Sequence, residues 1–299
     1  MGNVGSIEEL RRVCQDPVRH NNDLAGALYG WRVSIYVTSL FLRLGLSANT
    51  ASVLMLASGL SGSLLLLLPG WGRVAGAALV TAAFILDCVD GEIARYHGID
   101  SFRWAAFDYI HHMTVKALSF LCLGIGAWLE FGNPWTMALG GIGSVFWLML
   151  MAIRDLGPAL FTKKIVQNDG RSGNPAYRRL VDNLKRVAAD ESERPSPEDE
   201  SVDVWGKDFR FRPWMIRTAL VSFDIAAPLL LVAALLDRLV GAEIVFELAV
   251  APTTALLALY AVLLPVHAID LLYVAMRKGE LRDELYDLAR RVERFRKEK

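Results

Sequence analysis

The apolar positions of this chain fall in long blocks, without the alternation expected of strands. Six blocks, at roughly 50–68, 72–95, 104–131, 134–162, 214–237 and 244–276, approach or exceed the roughly 20 residues a helix needs to cross a hydrocarbon core. Stretches such as TASVLMLASGLSGSLLLLL (50–68) and LAVAPTTALLALYAVLL (248–264) carry no charge. In lipid a helix satisfies its own backbone polar groups, so such blocks are read as spans. The pattern predicts an all-α integral membrane protein with six transmembrane helices. Residues 26–46 (GALYGWRVSIYVTSLFLRLGL) read differently. Arg32, Ser34, Thr38, Ser39 and Arg43 interrupt the apolar positions too often for a span, which predicts an N-terminal amphipathic helix lying in the membrane interface.

The polar stretches between the blocks set the organisation. The turns 69–73 (PGWGR), 130–134 (EFGNP) and 237–243 (DRLVGAE) are short and nearly free of positive charge. The opposite ends of the blocks carry Arg95 and Arg103, Lys163 and Lys164, then Arg277 and Lys278. The positive-inside rule accordingly predicts a cytoplasmic location for both termini and for the 96–103 turn. Five segments follow: an N-terminus with its interfacial helix (1–46), spans one to four (47–162), a cytoplasmic insert (163–213), spans five and six (214–276) and a charged tail (277–299). The insert holds GRSGNPAYRR and the acidic, proline-bearing ADESERPSPEDESVD, a composition expected of a partly disordered loop with some helix around 175–189. The tail pairs opposite charges at i,i+4 and predicts a solvated helix. No internal repeat is visible.

Composition agrees with residence in a membrane: 54% of the residues are hydrophobic and the mean hydropathy is +0.33. Lys plus Arg equals Asp plus Glu at 32 each, so net charge points to no acidic partner, and no nucleic-acid partner is expected. Cys14, Cys88 and Cys122 are too few and too scattered for a disulfide framework or a thiolate zinc site, and are expected to be free thiols. The N-terminus lacks the apolar region of a signal peptide. MGNVGS fits the myristoylation pattern, which acts only in a eukaryotic host.

Against this apolar background the stretch FILDCVDGEIARYHG (84–98) stands out, with Asp87, Asp90 and Glu92 at the end of a span. Charges there either cap the span at the water interface or line a polar site. On a helix, positions 87, 90, 91 and 94 share a face, stacking two carboxylates one turn apart beside Gly91 and Ala94. Small residues let a ligand or another helix come close. Two adjacent carboxylates repel unless a cation lies between them, and an oxygen-rich site suits Mg2+ or Mn2+ better than zinc. The next block adds Asp108 and His112, four apart on one face, with Lys116 one turn on. If the two spans pack antiparallel across 96–103, all four groups meet at one depth.

These residues resemble the signature of the CDP-alcohol phosphotransferase family of integral membrane enzymes, DxxDGxxAR, eight residues, then GxxxDxxxD. Here it reads Asp87, Asp90, Gly91, Ala94 and Arg95, then eight residues (YHGIDSFR), then Trp104, Asp108 and His112. The first half matches fully. In the second half Trp104 replaces the family's glycine and His112 its last aspartate. Upstream, GLSANTAS is similar to the family's PN-x-x-T segment, with Asn49 kept and Ser52 in place of threonine. The stretch RVSIYVTSLFLRLG looks like the N-terminal helix of members that join two polar alcohols.

The resemblance implies a transferase that moves a phosphoalcohol or phosphatidyl group from a CDP-linked donor, CDP-diacylglycerol or a polar CDP-alcohol, to a hydroxyl acceptor with release of CMP. It implies one or two Mg2+ or Mn2+ ions, with Asp87, Asp90, Asp108 and His112 as metal ligands. His112 and Asp108 would be the catalytic residues, and Asn49, Gly91, Ala94 and Arg95 would lie on the nucleotide side. It also implies a place in phospholipid biosynthesis and a homodimer. His112 can serve as base or as ligand, but it brings no negative charge, so the second metal position is expected to weaken or to prefer a softer ion. A catalytically altered nucleotide- or lipid-binding scaffold is the alternative, and a transporter would leave DGxxAR unexplained. Further residues carry open readings. His111 ranks below His112 as a functional group, Trp104 fits an aromatic belt, and Lys116 would pair with Asp108 or bind phosphate. Arg154, beside Asp155, would be an acceptor-phosphate site or an interface anchor. His267 and Asp270 would line a pocket or bond each other.

Overall fold

A computed structural model describes residues 5–17, 25–98, 102–168, 222–240 and 251–277. Every regular element among them is helical: α1 (Ile7–Cys14), a π-helical turn (Gly26–Gly30), α2 (Trp31–Arg43), α3 (Ala48–Leu65), α4 (Trp71–His97), α5 (Phe102–Phe131), α6 (Pro134–Asn168), α7 (Phe223–Val240) and α8 (Pro252–Arg277). The chain forms two compact units. One comprises Met1–Leu148 with Val202–Leu264, and the other Met149–Ser201 with Pro265–Lys299. The polar clusters described below belong to the first.

Helix starts follow local chemistry. Ser6 and Ser47 each turn a side-chain oxygen back to a first-turn amide, Glu9 N and Thr50 N, both at 3.2 Å. These bonds satisfy donors that the helix itself leaves unpaired. At its far end α4 stops at Gly98, whose φ of 61° is a left-handed conformation that glycine reaches without a Cβ clash.

Five helices among the described residues are long and apolar enough to cross a membrane: Ala48–Leu65, Trp71–His97, Phe107–Phe131, Pro134–Ile153 and Pro252–Tyr273. The remaining expected span, 214–237, is described from residue 222 onward. Its helix, Phe223–Val240, holds Asp224, Asp237 and Arg238 within 18 residues, more charge than composition alone allows a span. α6 continues as helix to Asn168, past the expected limit at 162. The rest of the insert, 169–213, and the tail beyond Arg277 lie outside the described residues.

α4 packs against α1, α2, α3, α5 and α7. Its approach to α3 brings backbone against backbone: a Cβ on Gly76 would lie 2.7 Å from Gly62 O, and one on Gly62 would lie 2.8 Å from Gly76 O. α5 and α6 meet in the same way at Gly124 and Gly140, where a Cβ on Gly124 would stand 2.7 Å from Gly140 Cα. Apolar side chains gain nothing by leaving lipid for a protein neighbour, so close contact between small residues is what holds such helices together. Gly76→Ala is expected to push α3 and α4 apart and cost about 1–3 kcal/mol, as overpacking does. A lowered thermal midpoint in detergent, with Ala77→Gly as a comparison, checks it.

The packing of α2 inverts that of a soluble helix. Ser34, Thr38 and Ser39 are buried, whereas Val33, Tyr36 and Leu40 are exposed. The polar side faces the protein because α4 offers it a charge. Glu92 is fully buried, and its carboxylate accepts hydrogen bonds from Gln15 Nε2 (2.7 Å), Ser34 Oγ (2.5 Å) and Thr38 Oγ1 (2.5 Å). Gln15 also donates to Trp31 O at 2.8 Å. A buried carboxylate is tolerated only when fully hydrogen-bonded, and these three donors supply that condition. Beside it Cys14 is buried, and its backbone oxygen accepts from Arg95 Nε. Burial pushes the Cys14 thiol up to about 11, with the Glu92 charge adding to the effect. All three cysteines are unbridged, as expected.

A second charge cluster, centred on the buried Arg73, joins α4, α5, α7 and α8. Arg73 Nη1 lies 2.7 Å from Glu130 Oε2 and 3.9 Å from Asp237 Oδ2. The Thr253 hydroxyl donates to Asp237, and Arg238 stands over the Trp71 ring at 5.6 Å. The cation in the 69–73 turn is therefore neutralised inside the protein.

Candidate functional site

α4 carries Asp87 and Asp90 one turn apart, and α5 carries Asp108, His111 and His112 at positions i, i+3 and i+4, a spacing that turns all three side chains to one side of a helix. The fold brings the two sets together. His112 Nε2 stands 3.4 Å from Asp87 Oδ1 and 3.3 Å from Asp108 Oδ1. One imidazole thus bridges a carboxylate from each helix. Asp90 is held by a third element: its Oδ2 accepts from Ser52 Oγ of α3 at 2.7 Å, and Ser52 also bonds Ala48 O one turn back.

Several polar atoms at this junction have no protein partner. His112 Nδ1 and both ring nitrogens of His111 are buried without a hydrogen bond, and Asp108 Oδ1 has the His112 contact at 3.3 Å. Buried polar atoms are normally paired, so these three nitrogens on α5 leave bonding capacity that a ligand or ion could take up. One ligand atom from each of Asp108, His111 and His112 falls within 4.8 Å of the others. The donor set present, three carboxylates and two imidazoles, fits a divalent cation by charge and by atom type.

The other residues singled out from the sequence are placed as follows. Arg95 reaches the N-terminal region through Cys14 O, and its guanidinium also lies over Gly91, where a Cβ would meet Arg95 Nη1 at 3.2 Å. The space that Gly91 leaves is thus occupied by an arginine from the same helix. Ala94 is half-buried, and Asn49 is exposed in the first turn of α3. Lys116 pairs with Asp224 and not with Asp108. Its Nζ lies 3.0 Å from Asp224 Oδ1 of α7 and above the rings of Trp147 and Phe223 at 5.2 and 5.6 Å. The side chains of Trp104, Arg154 and Asp155 lie outside the described set. His267 and Asp270 both lie on α8 in the second unit.

Three residues were undervalued by reading the chain alone. In the sequence Ser52 reads only as a substitute for threonine, yet it is the residue that orients Asp90. Asp224 opens an apolar run, and an aspartate there in a membrane protein calls for a partner, which Lys116 supplies. Tyr29 donates its hydroxyl to the backbone oxygen of the same Asp224. His111 was ranked below His112, but it is the more deeply buried of the two.

Comparison with family models and with curated proteins produced no match.

Proposed function

We propose that this chain is a multi-pass membrane transferase of the CDP-alcohol phosphotransferase type. It would move a phosphoalcohol or phosphatidyl group from a CDP-linked donor to a hydroxyl acceptor and release CMP. The observation that carries this reading is the meeting of α4 and α5, where His112 Nε2 lies 3.4 and 3.3 Å from Asp87 and Asp108. That meeting joins the two halves of the DxxDGxxAR and WxxxDxxxH pattern, whose first aspartates, Asp87 and Asp108, are 21 residues apart (108 minus 87).

In this reading Asp87, Asp90, Asp108 and His112 hold a divalent ion, Mg2+ or Mn2+, which supplies charge neutralisation at the donor diphosphate. The chain's residues do the rest. Ser52 fixes Asp90 so that its carboxylate does not reorganise during the reaction. His112, or Asp108 beside it, accepts the proton of the acceptor hydroxyl as that oxygen bonds to the β-phosphorus and the bond to the CMP oxygen breaks. Asn49, Gly91, Ala94 and Arg95 lie on the nucleotide side.

The reading includes six spans with the site and both termini in the cytoplasm, and α2 in the interface. Support for α7 as the remaining span comes from its charges. Asp224 is matched by Lys116 at one end and Asp237 by Arg73 at the other. The exposed Val33, Tyr36 and Leu40 of α2 would face lipid. Orientation rests on Arg95, Arg103, Lys163, Lys164, Arg277 and Lys278.

The test is CMP release by the purified protein in nanodiscs, offered CDP-diacylglycerol and several polar CDP-alcohols with mixed hydroxyl acceptors in Mg2+ or Mn2+. Release that stops with EDTA is expected. No release from any donor would overturn the transferase. One observation favours a second reading, a binding or scaffold protein on the same fold: His112 already sits between Asp87 and Asp108, where its ring can offset carboxylate charge without an ion. Stabilisation by cytidine nucleotides without turnover would select it.

A further inference from the structure

We infer that the ion held by α5 is a transition metal taken up through nitrogen, Zn2+ or Mn2+ in preference to Mg2+, and that His111 is one of its ligands. The inference deepens the metal-dependent reading above and rests on the same α4–α5 cluster.

His111 is the starting point. It is 3% exposed, and neither ring nitrogen has a hydrogen-bond partner. An imidazole always carries at least one donor or acceptor that burial leaves costly. Its immediate surroundings do not relieve this. The His112 ring lies 5.3 Å away edge-on, and the facing element is α3 at Gly59, where a Cβ would come within 3.1 Å of His111 Nε2 and 2.8 Å of Val115. The absence of a side chain at Gly59 is what lets this ring occupy the interior.

The neighbours supply the rest of a coordination set. His112 Nδ1 is also buried without a hydrogen bond, Asp108 Oδ1 has only the 3.3 Å contact with His112 Nε2 beside it, and one donor atom from each of the three residues lies within 4.8 Å of the others. Donors around an ion held at about 2.1 Å stand about 3.4 Å apart in a tetrahedral arrangement. The three donor atoms, within 4.8 Å of one another, would draw in to that spacing on binding. Two imidazoles and one carboxylate are a donor set that zinc accepts with a fourth position open to an oxygen ligand. Mg2+ prefers oxygen throughout and keeps its water reluctantly. Imidazole suits Zn2+ and other first-row ions, and zinc stands above manganese in the general affinity order. The oxygen for that fourth position can come from α4, where Asp87 lies 3.4 Å from His112 Nε2.

The full-length protein in nanodiscs, stripped with EDTA, would be titrated with Zn2+ and with Mn2+ in a large excess of Mg2+, and with Co2+ as a spectroscopic probe. Wild type is expected to retain Zn2+ at about one ion per chain against the excess, and Co2+ to show the visible bands of a nitrogen-bound ion. His111→Gln is expected to weaken Zn2+ binding by about 100-fold or more, since loss of even an outer-shell partner costs about 10–100-fold, and to bleach the Co2+ bands. Its thermal midpoint in EDTA should match that of wild type, as the loss is of a ligand. X-ray absorption on zinc-loaded wild type counts imidazoles without any substitution, and two are expected. A wild type that discards Zn2+ for Mg2+, a His111→Gln protein that holds Zn2+ as tightly as wild type, or a zinc shell with fewer than two imidazoles would each overturn the inference. Because no readout uses a CDP-linked donor, failure of the transferase reading leaves these results intact. Turnover with Mg2+ and no zinc uptake would remove only the inference.

Discussion

Asp90→Asn is expected to release CMP at least about 1,000-fold more slowly than wild type while folding as wild type does. The size follows from the role proposed for the metal, whose charge stabilisation is worth several kcal/mol, with each factor of ten corresponding to about 1.4 kcal/mol. The substitution isolates charge. An asparagine carbonyl can still accept the hydrogen bond that Ser52 Oγ makes to Asp90 Oδ2 at 2.7 Å, and its volume is nearly that of aspartate. α3 and α4 thus keep their contact, and the site loses one negative charge. Rates under saturating donor, together with a thermal midpoint within a degree or two of wild type, make the measurement interpretable. An Asp90→Asn enzyme as fast as wild type would remove Asp90 from the site. Ser52→Ala should fall between the two, because it leaves the carboxylate charged and only frees its orientation.

Glu92→Leu is expected to cost about 3 kcal/mol and to release the N-terminal helices from α4. Each buried donor left without a partner costs about 1–3 kcal/mol. Three side chains, those of Gln15, Ser34 and Thr38, lose the same carboxylate at once. The total stays below a simple sum because Gln15 keeps its bond to Trp31 O and the two hydroxyls can turn to their own helix backbone. Cys14 reports the outcome. In wild type it is buried, with its thiol pushed up to about 11 by that burial, so it should resist maleimide at neutral pH. In Glu92→Leu it should label, with mass spectrometry separating Cys14 from Cys88 and Cys122. Glu92→Gln, which retains an acceptor, should sit between them. A Glu92→Leu protein with wild-type stability and a silent Cys14 would show that the carboxylate does not hold the N-terminal region.

The three carboxylates of FILDCVDGEIARYHG divide into two roles. Asp87 and Asp90 face α5 and α3, whereas Glu92 points to α1 and α2 and belongs to the scaffold. Read as a string, the three stand together at the end of one span, with only Asp87 and Asp90 grouped as a site. Helical spacing could group 87 with 90, because that depends only on 3.6 residues per turn. It could not say which helix would meet the other side of α4.

Local chemistry written in the sequence determined the helical class, most element limits, the capping serines and the grouping of Asp87 with Asp90 and of Asp108 with His112. These depend on contacts within a few residues. What only the tertiary structure decided depends on partners far along the chain. Lys116 is matched to Asp224, 108 residues away, and Glu92 to Ser34, 58 residues away. The inward-facing polar side of α2 was opposite to the face that amphipathicity alone would bury, because a carboxylate on α4 needed its donors more than the protein needed another apolar contact in a lipid setting. His111, ranked low by its position between two better candidates, became the least satisfied side chain of the cluster once Gly59 let α3 close over it. Periodicity is a property of one helix, and pairing is a property of two.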